Sequence, residues 1–501
     1  MARIAVIGAG MGAMAAAARL AVAGHRVAVY ERTETYGGAL GVLERDGFRF
    51  DTGPGLLPLP AVYRDLFLKT GKQPLEDCVE LVEIDPAARH VFADGTTADL
   101  PNASRAGVVE ALRASLGDAA ADRWDAFMNR ARDAWDRTRR PLLEEPLWPN
   151  WQVLAERDPY PALRGSGLFR RRPPTFAEAA GRELADPRLV ALVESALLAH
   201  GLDPRSTPAA AAVLPYLEQA FGTWYVKGGM RELARAVYER CLARRVEFHF
   251  GAEAVAVVEK DGRAAGLELA DGTVVDADEV VAGVDPARLR TLTDRPLQRT
   301  EDVRPDPSRT PPSRCTVFLA LRGAPGRHTV HRTVVHAPDR RADSDRPAGR
   351  GSVDVARPTV TVLRPDDPAL RPDGEHESVV VTAAAPWPSG QGPSAAAAEA
   401  ERLIEAAESA VPDLRERLLW HEVRTPADVA AATGAHHGAV PAPALPAADG
   451  RFLHPANGTR MPGLHLVGGW AHPGGGLPHA GMSGALVAGL LVEGPEFRGS
   501  Q

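Results

Sequence analysis

The run Arg3 to Ile7 is apolar after its first residue and lacks the polar alternation of a half-exposed strand, so it reads as a strand buried on both faces. A glycine-rich turn, Gly8-Ala9-Gly10-Met11-Gly12-Ala13, leads into an alanine-rich helical stretch, and Arg26 to Tyr30 repeats the strand pattern before ending at Glu31. The pattern predicts a βαβ unit. Residues 104–220 carry helical spacing, for example over Val108 to Leu116 and Pro187 to Leu198, and predict a helical lid. Residues 246–289 alternate apolar and polar positions around Asp261-Gly262 and Asp271-Gly272, which predicts strands joined by hairpins. Two β-rich runs, Cys315 to Leu321 and Ser378 to Ala383, flank a polar stretch, 337–352, expected to be a mobile loop. Glu399 to Ala410 reads as an amphipathic helix. Near the end, Leu464 to Val467 reads as a buried strand, followed by a glycine-rich loop and a helix from about Met482.

Composition sets limits on these elements. At 501 residues, with 45% apolar and 25% charged positions, the chain is of ordinary globular make-up. Its length suggests about three folding units. Aromatics are few, 13 Phe, 8 Trp and 7 Tyr, so much of the apolar content is alanine and close helix packing is expected. A formal charge of −7 without a long basic tract argues against nucleic acid. Cys78, Cys241 and Cys315 are too scattered for a disulfide framework or a CxxC pair and fit a reducing cytoplasm.

By composition alone, residues 2–24 could be taken for a secretory leader. The glycine register argues for a dinucleotide site instead. Gly8 allows the sharp turn, Gly10 lets backbone approach a pyrophosphate, and Ala13 keeps helix and strand close, with Gly12 between them. The helix start offers free N–H groups to phosphate. Glu31, about 20 residues beyond Gly10, stands where an acid bonds ribose hydroxyls.

The same unit serves NAD or FAD, and the residues that follow separate them. Arg32, the pair Gly37-Gly38 and the stretch running into Asp51-Thr52-Gly53-Pro54 resemble the extended FAD fingerprint of the flavin amine oxidase and phytoene desaturase superfamily. Ala39 departs from it, since the family commonly has arginine there. FGTWYVKGGMREL, residues 221–233, is similar to the family's aromatic strand and glycine pair. Val280 to Pro286 resembles its VVSNADP turn, with Gly283 and Val284 in place of the polar pair. The segment 462–491, with HPGGGLP and then SG, is similar to bacterial-type phytoene desaturases.

The resemblance implies an α/β protein with a discontinuous Rossmann-like FAD-binding domain, residues 1–103, 221–295 and 455–501. Between these pieces come a helical lid, 104–220, and an inserted α+β substrate domain, 296–454. It implies that Val255 meets the adenine through its backbone, and that Gly468, Gly469, Gly476, Leu477 and Pro478 lie against the flavin. The implied activity is FAD-dependent C–C desaturation of a carotenoid or polyprenoid, a small apolar substrate. An FAD oxidase of a polar substrate such as an amine, or a flavin-assisted isomerase, remains open.

His472 and His479 are the candidate catalytic residues, as proton acceptors or as groups that set flavin polarity; capping of their loop is the competing reading. A metal site at His328, His331 and His336 is disfavoured, because a spacing of three puts the first two on opposite faces of a strand. His436-His437 falls in a turn. Trp148, Trp151, Tyr160 and Phe169 beside Arg170, Arg171 and Arg172 suit either a peripheral membrane contact or an ordinary lid packed inward. No apolar run outside the N-terminal unit is long enough to span a bilayer.

Overall fold

The computed structural model describes residues 1–147, 152–163, 173–293, 313–345, 357–385 and 392–499. At its centre is a five-stranded parallel sheet in the order Glu247–His249, Arg26–Tyr30, Arg3–Ile7, Glu279–Ala282, Leu464–Leu466. Three distant stretches of chain thus build one sheet. Its middle strand has neighbours on both edges and helices or loops on both faces, which explains why Ile4 to Val6 show no polar alternation. The leader-like stretch 2–24 is this strand together with the helix Met11–Val22.

That helix packs against the C-terminal helix Leu477–Glu493 through small residues. A Cβ on Gly484 would lie 2.7 Å from the Gly12 carbonyl oxygen and 2.8 Å from Ala15 Cβ, so glycine is required for the approach. The C-terminal helix begins at Leu477, ahead of the expected Met482. Pro478 lies in its first turn, where a missing N–H costs no helical bond, so proline there marks a helix start.

A seven-stranded sheet forms the other half of the molecule, ordered Leu418–Arg424, Ser313–Arg322, His376–Ala385, Val360–Leu363, Arg332–Val335, Ala88–Val91, Thr97–Leu100. Pairing is antiparallel except between Arg332–Val335 and Ala88–Val91. Residues 88–100, grouped by sequence with the first cofactor segment, therefore belong to this second sheet. Helix Pro393–Ala407 covers one face, burying Leu403 and Ile404 against Val317, Leu319, Val379 and Val381. It starts and ends earlier than the sequence pattern suggests.

Glu377, fully buried on this sheet, accepts two bonds from Arg364, at 2.7 and 3.1 Å, and one from Arg417 at 2.6 Å. The polar stretch expected as a loop contains the helix Arg340–Asp345 in its described part, and the Asp343 carboxylate accepts from the Thr359 N–H at 3.0 Å.

Helices Arg105–Leu116, Asp118–Arg139, Phe176–Leu184, Pro187–Leu198 and Val213–Phe221 form a layer around Trp124, Phe127 and Phe176. Tyr160 is buried there, its hydroxyl bonded to Glu183 at 2.6 Å. Trp148, Trp151, Phe169 and Arg170 to Arg172 lie outside the described residues. No helix among the described residues is long and apolar enough to cross a membrane.

Candidate active site

A cavity of about 560 Å³ runs from the N-terminal glycine turn, across the seven-stranded sheet, to the helical layer. Gly10, Met11, Gly12 and Ala13 line one end, at the start of helix Met11–Val22, and Gly37 and Gly38 lie beside them. The Gly37 N–H donates to the Ala9 carbonyl at 2.8 Å, and a Cβ on Gly38 would lie 3.1 Å from Gly10 Cα. The two glycine motifs therefore form one surface. Gly8 takes φ +90°, a left-handed conformation that favours glycine.

Each glycine of the first turn has its own reason. A Cβ on Gly10 meets nothing within 4 Å, so no described residue demands glycine there, and the open backbone suits close approach of a ligand. A Cβ on Gly12 would lie 2.6 Å from Gly468 Cα and 2.8 Å from the Ala480 carbonyl oxygen. Ala13 packs against Gly283, whose own Cβ would sit 3.2 Å from Ala13 Cβ and 3.1 Å from the Ile7 carbonyl oxygen. That crowding accounts for glycine in place of a polar residue at 283.

Glu31 ends the second strand and bridges two segments. Its carboxylate accepts from the Ala9 N–H at 2.8 Å and from the Thr33 N–H and hydroxyl, each at 2.9 Å. Arg32 turns away and donates to the Ala431 carbonyl at 2.6 Å, bracing helix Pro426–Thr433, so it does not line the cavity. Val255, on strand Ala254–Lys260, is likewise outside the cavity lining.

Gly53 lines the cavity, and a side chain there would collide with the Ala39 carbonyl. Arg231 covers the outer side of the glycine pair. Its guanidinium lies 4.0 Å from the Tyr36 ring centroid and donates to the carbonyls of Tyr36 and Leu40.

Asp51, which sequence reasoning quoted only as part of a motif, holds the start of helix Met230–Ala243 by accepting from the Met230 N–H at 2.9 Å. Burial is the main cause raising its pKa to about 6. Its signal was its place in a run of turn residues, which did not reveal the helix it caps.

The C-terminal loop closes the other side. Gly468, Gly469, Trp470, Gly476, Leu477, Pro478 and His479 line the cavity. Buried Asn457, not anticipated from sequence, ties this loop down: its Nδ2 donates to the carbonyls of Leu466 at 3.1 Å and His472 at 2.9 Å and to Ser483 Oγ at 3.1 Å. Ser483 Oγ in turn accepts from the Gly468 N–H at 3.0 Å.

The two candidate histidines separate. His472 is fully buried, outside the cavity lining, with Nε2 2.9 Å from the Glu145 carbonyl, so it pins the loop to the segment that follows helix Asp118–Arg139. His479 lines the cavity from the first turn of the C-terminal helix. Burial lowers the pKa of both to about 4, so both are neutral at pH 7.

His331 packs against the Tyr225 ring, and the ring nitrogens of His336 and His90 approach within 3.0 Å. The strand expected along this stretch, with its following loop, spans only Arg332–Val335, so all three histidines lie in its flanks. His436 and His437 form a turn whose first N–H bonds Asp285 at 3.3 Å.

Two helix N-termini, a glycine surface without side chains and an acid, Glu31, at the end of the second strand just outside the cavity lining fit a dinucleotide lying across the strand ends. Residues 14–492 match the family described as flavin containing amine oxidoreductase. The chain belongs to that family. It is an FAD-dependent oxidoreductase, and FAD is its cofactor. Among curated relatives, it is 29% identical to 4,4'-diapolycopene oxygenase of Methylomonas sp, covering 98% of each chain. It is also 29% identical to hydroxyneurosporene desaturase of Rhodobacter capsulatus, covering 98% of this chain and 97% of the relative. A solved oxidoreductase from Methanosarcina mazei shares the fold, with a TM-score of 0.62 and 20% identity over 97% of this chain and 99% of that one.

Proposed function

We propose that this flavoenzyme desaturates C–C bonds of a carotenoid or related polyene. The observation that carries the reading is the continuity of the cavity: it leads from the flavin cradle into a slot lined by Leu198, Leu214, Leu217, Val334, Leu363 and Val380. Such a slot takes an extended apolar chain, and the full-length similarity to two carotenoid-named flavoenzymes agrees with it.

When bound, FAD supplies the two-electron acceptor for a hydride leaving one carbon while a proton leaves its neighbour. The protein's part is placement and exclusion of water. The N–H groups at the starts of helices Met11–Val22 and Leu477–Glu493 would hold the cofactor phosphates, and the C-terminal glycine loop would face the rest of the cofactor. Glu31, already fixed by the Ala9 and Thr33 N–H groups, would hold the adenosine ribose. His479, a neutral imidazole, offers a hydrogen bond at the flavin side of the slot.

The charge on the wall disfavours an ammonium substrate. Of the cavity's described acids, Asp51 bonds the Met230 N–H, Asp343 bonds Thr359, and Glu218 is paired with Arg332. Arg314 lines the same wall with only the Ala199 carbonyl as partner among the described residues. The test is anaerobic reduction of the purified holoenzyme by acyclic polyenes in liposomes against a panel of amines. Flavin bleaching by polyenes is expected; bleaching by an amine alone would overturn the reading.

A further inference from the structure

Beside the main cavity lies a second chamber of about 50 Å³, and the two share Ser195, Ala196, Glu218 and Arg332. About 10–15 Å³ suffices for one water, so the chamber has room for a small polar group and its carbon. It sits where helices Asp118–Arg139, Pro187–Leu198 and Val213–Phe221 meet strand Ala88–Val91.

Most polar groups around it are already engaged. Ser195 Oγ donates to the Leu192 carbonyl at 2.7 Å, His90 faces His336, and Arg332 is bonded to Glu218. Three atoms differ: Gln219 Nε2, Gln219 Oε1 and Trp124 Nε1 are buried and have no hydrogen-bond partner among the described residues. Both side chains line the chamber. A buried amide with neither end bonded is costly in a folded protein and needs a complement.

The orphaned set is two donors and one acceptor. A carbonyl or carboxylate only accepts and would leave Gln219 Oε1 alone; an ammonium only donates and would leave Nε2 and the indole alone. A hydroxyl does both. From this match we infer that the chamber is a subsite for a hydroxyl at the end of an otherwise apolar polyene. The assignment rests on the polyene reading above and narrows it: the substrate enters from the main slot past the Arg332–Glu218 pair, and its hydroxyl is bonded by Gln219 and Trp124. A hydrocarbon terminus leaves all three atoms unbonded and is disfavoured.

The experiment compares neurosporene with hydroxyneurosporene as reductants of the holoenzyme in liposomes, read as kcat/KM from anaerobic flavin bleaching. The hydroxylated polyene is expected to be favoured on the order of 10- to 100-fold by the wild type. Gln219→Leu keeps the volume and removes the amide; it should cut the preference to within about 3-fold, the hydrocarbon rate rising because no buried amide is left unbonded by it. Trp124→Phe, lacking the indole N–H, should cut it in part. Equal wild-type rates on the two polyenes, or a preference that survives Gln219→Leu, would overturn the subsite and leave the chamber to solvent. Bleaching by neither polyene in FAD-loaded protein would overturn the polyene reading and the subsite with it.

Discussion

An alanine at position 12 places a Cβ 2.6 Å from Gly468 Cα and 2.8 Å from the Ala480 carbonyl oxygen, both backbone atoms that cannot rotate aside. Carbon contacts are comfortable at about 3.5–4.0 Å, so the starts of helices Met11–Val22 and Leu477–Glu493 must part by about 1 Å. Overpacking of this kind costs about 1–3 kcal/mol, and alanine's better helix propensity returns about 0.5–1 kcal/mol. A net loss of about 1–2 kcal/mol is expected for the apoprotein. The same shift separates two sets of phosphate-binding amides, so FAD affinity should fall about 10-fold or more.

Gly10→Ala is the contrasting change. Gly10, the N-cap of helix Met11–Val22, has φ −74° and open space around its Cβ, so alanine costs the apoprotein less than about 1 kcal/mol, yet its methyl occupies the surface that the pyrophosphate must approach. Calorimetric melting of both apoproteins, with FAD titration by fluorescence quenching, reads the two effects separately. Gly12→Ala should melt lower and bind FAD weakly; Gly10→Ala should melt closer to wild type than Gly12→Ala and still bind weakly. A Gly12→Ala apoprotein as stable as wild type would refute the helix interlock, and unchanged FAD affinity in Gly10→Ala would refute the pyrophosphate placement.

Three further outcomes follow from named contacts. Glu377→Gln leaves Arg364 and Arg417 without their buried counter-charge and should lower stability by about 3–5 kcal/mol in urea unfolding, with FAD affinity in the still-folded protein unchanged. Asp51, with a folded pKa of about 6 against an ordinary 3.8, favours folding when protonated, so its contribution is present at low pH and lost as pH rises from about 4 through 6. The stability of wild-type apoprotein relative to Asp51→Asn should therefore fall across that window, by up to about 3 kcal/mol, and stay level above it; a flat difference would refute the shift. His479→Gln should lower kcat with FAD retained, whereas His472→Gln should lower stability by about 1–3 kcal/mol and leave kcat/KM near wild type. Because the His479 pKa is about 4, no activity limb from its ionisation is expected between pH 5 and 8.

Local pattern was enough to place the nucleotide-binding unit. Strand Arg3–Ile7, the glycine turn, the helix and Glu31 are contiguous within about 30 residues, so periodicity and glycine spacing report the unit directly, though not the distant contacts that fix Gly12 and Ala13. The same holds for the hairpins at Asp261-Gly262 and Asp271-Gly272, where turn chemistry is local. What went astray depended on partners far along the chain. Strands Ala88–Val91 and Thr97–Leu100 look no different from their predecessors, and only parallel pairing with Arg332–Val335 assigns them to the second sheet. His472 and His479 sit in one loop with similar surroundings in sequence. Contact with the Glu145 carbonyl removes the first from the cavity, and the early helix start turns the second toward it.

The sequence by itself determined a dinucleotide site, because a dinucleotide is recognised by backbone geometry that short glycine motifs encode; the choice of FAD came from the resemblance of the following residues to a flavoenzyme family. Tertiary structure alone decided how the three cofactor segments interlock, why Gly12 and Gly283 must be glycine, and which polar atoms face the substrate slot. Gln219 and Trp124 are unremarkable helical residues until packing buries their polar atoms beside a chamber. A side chain's solvation depends on everything folded around it, and no local pattern carries that information.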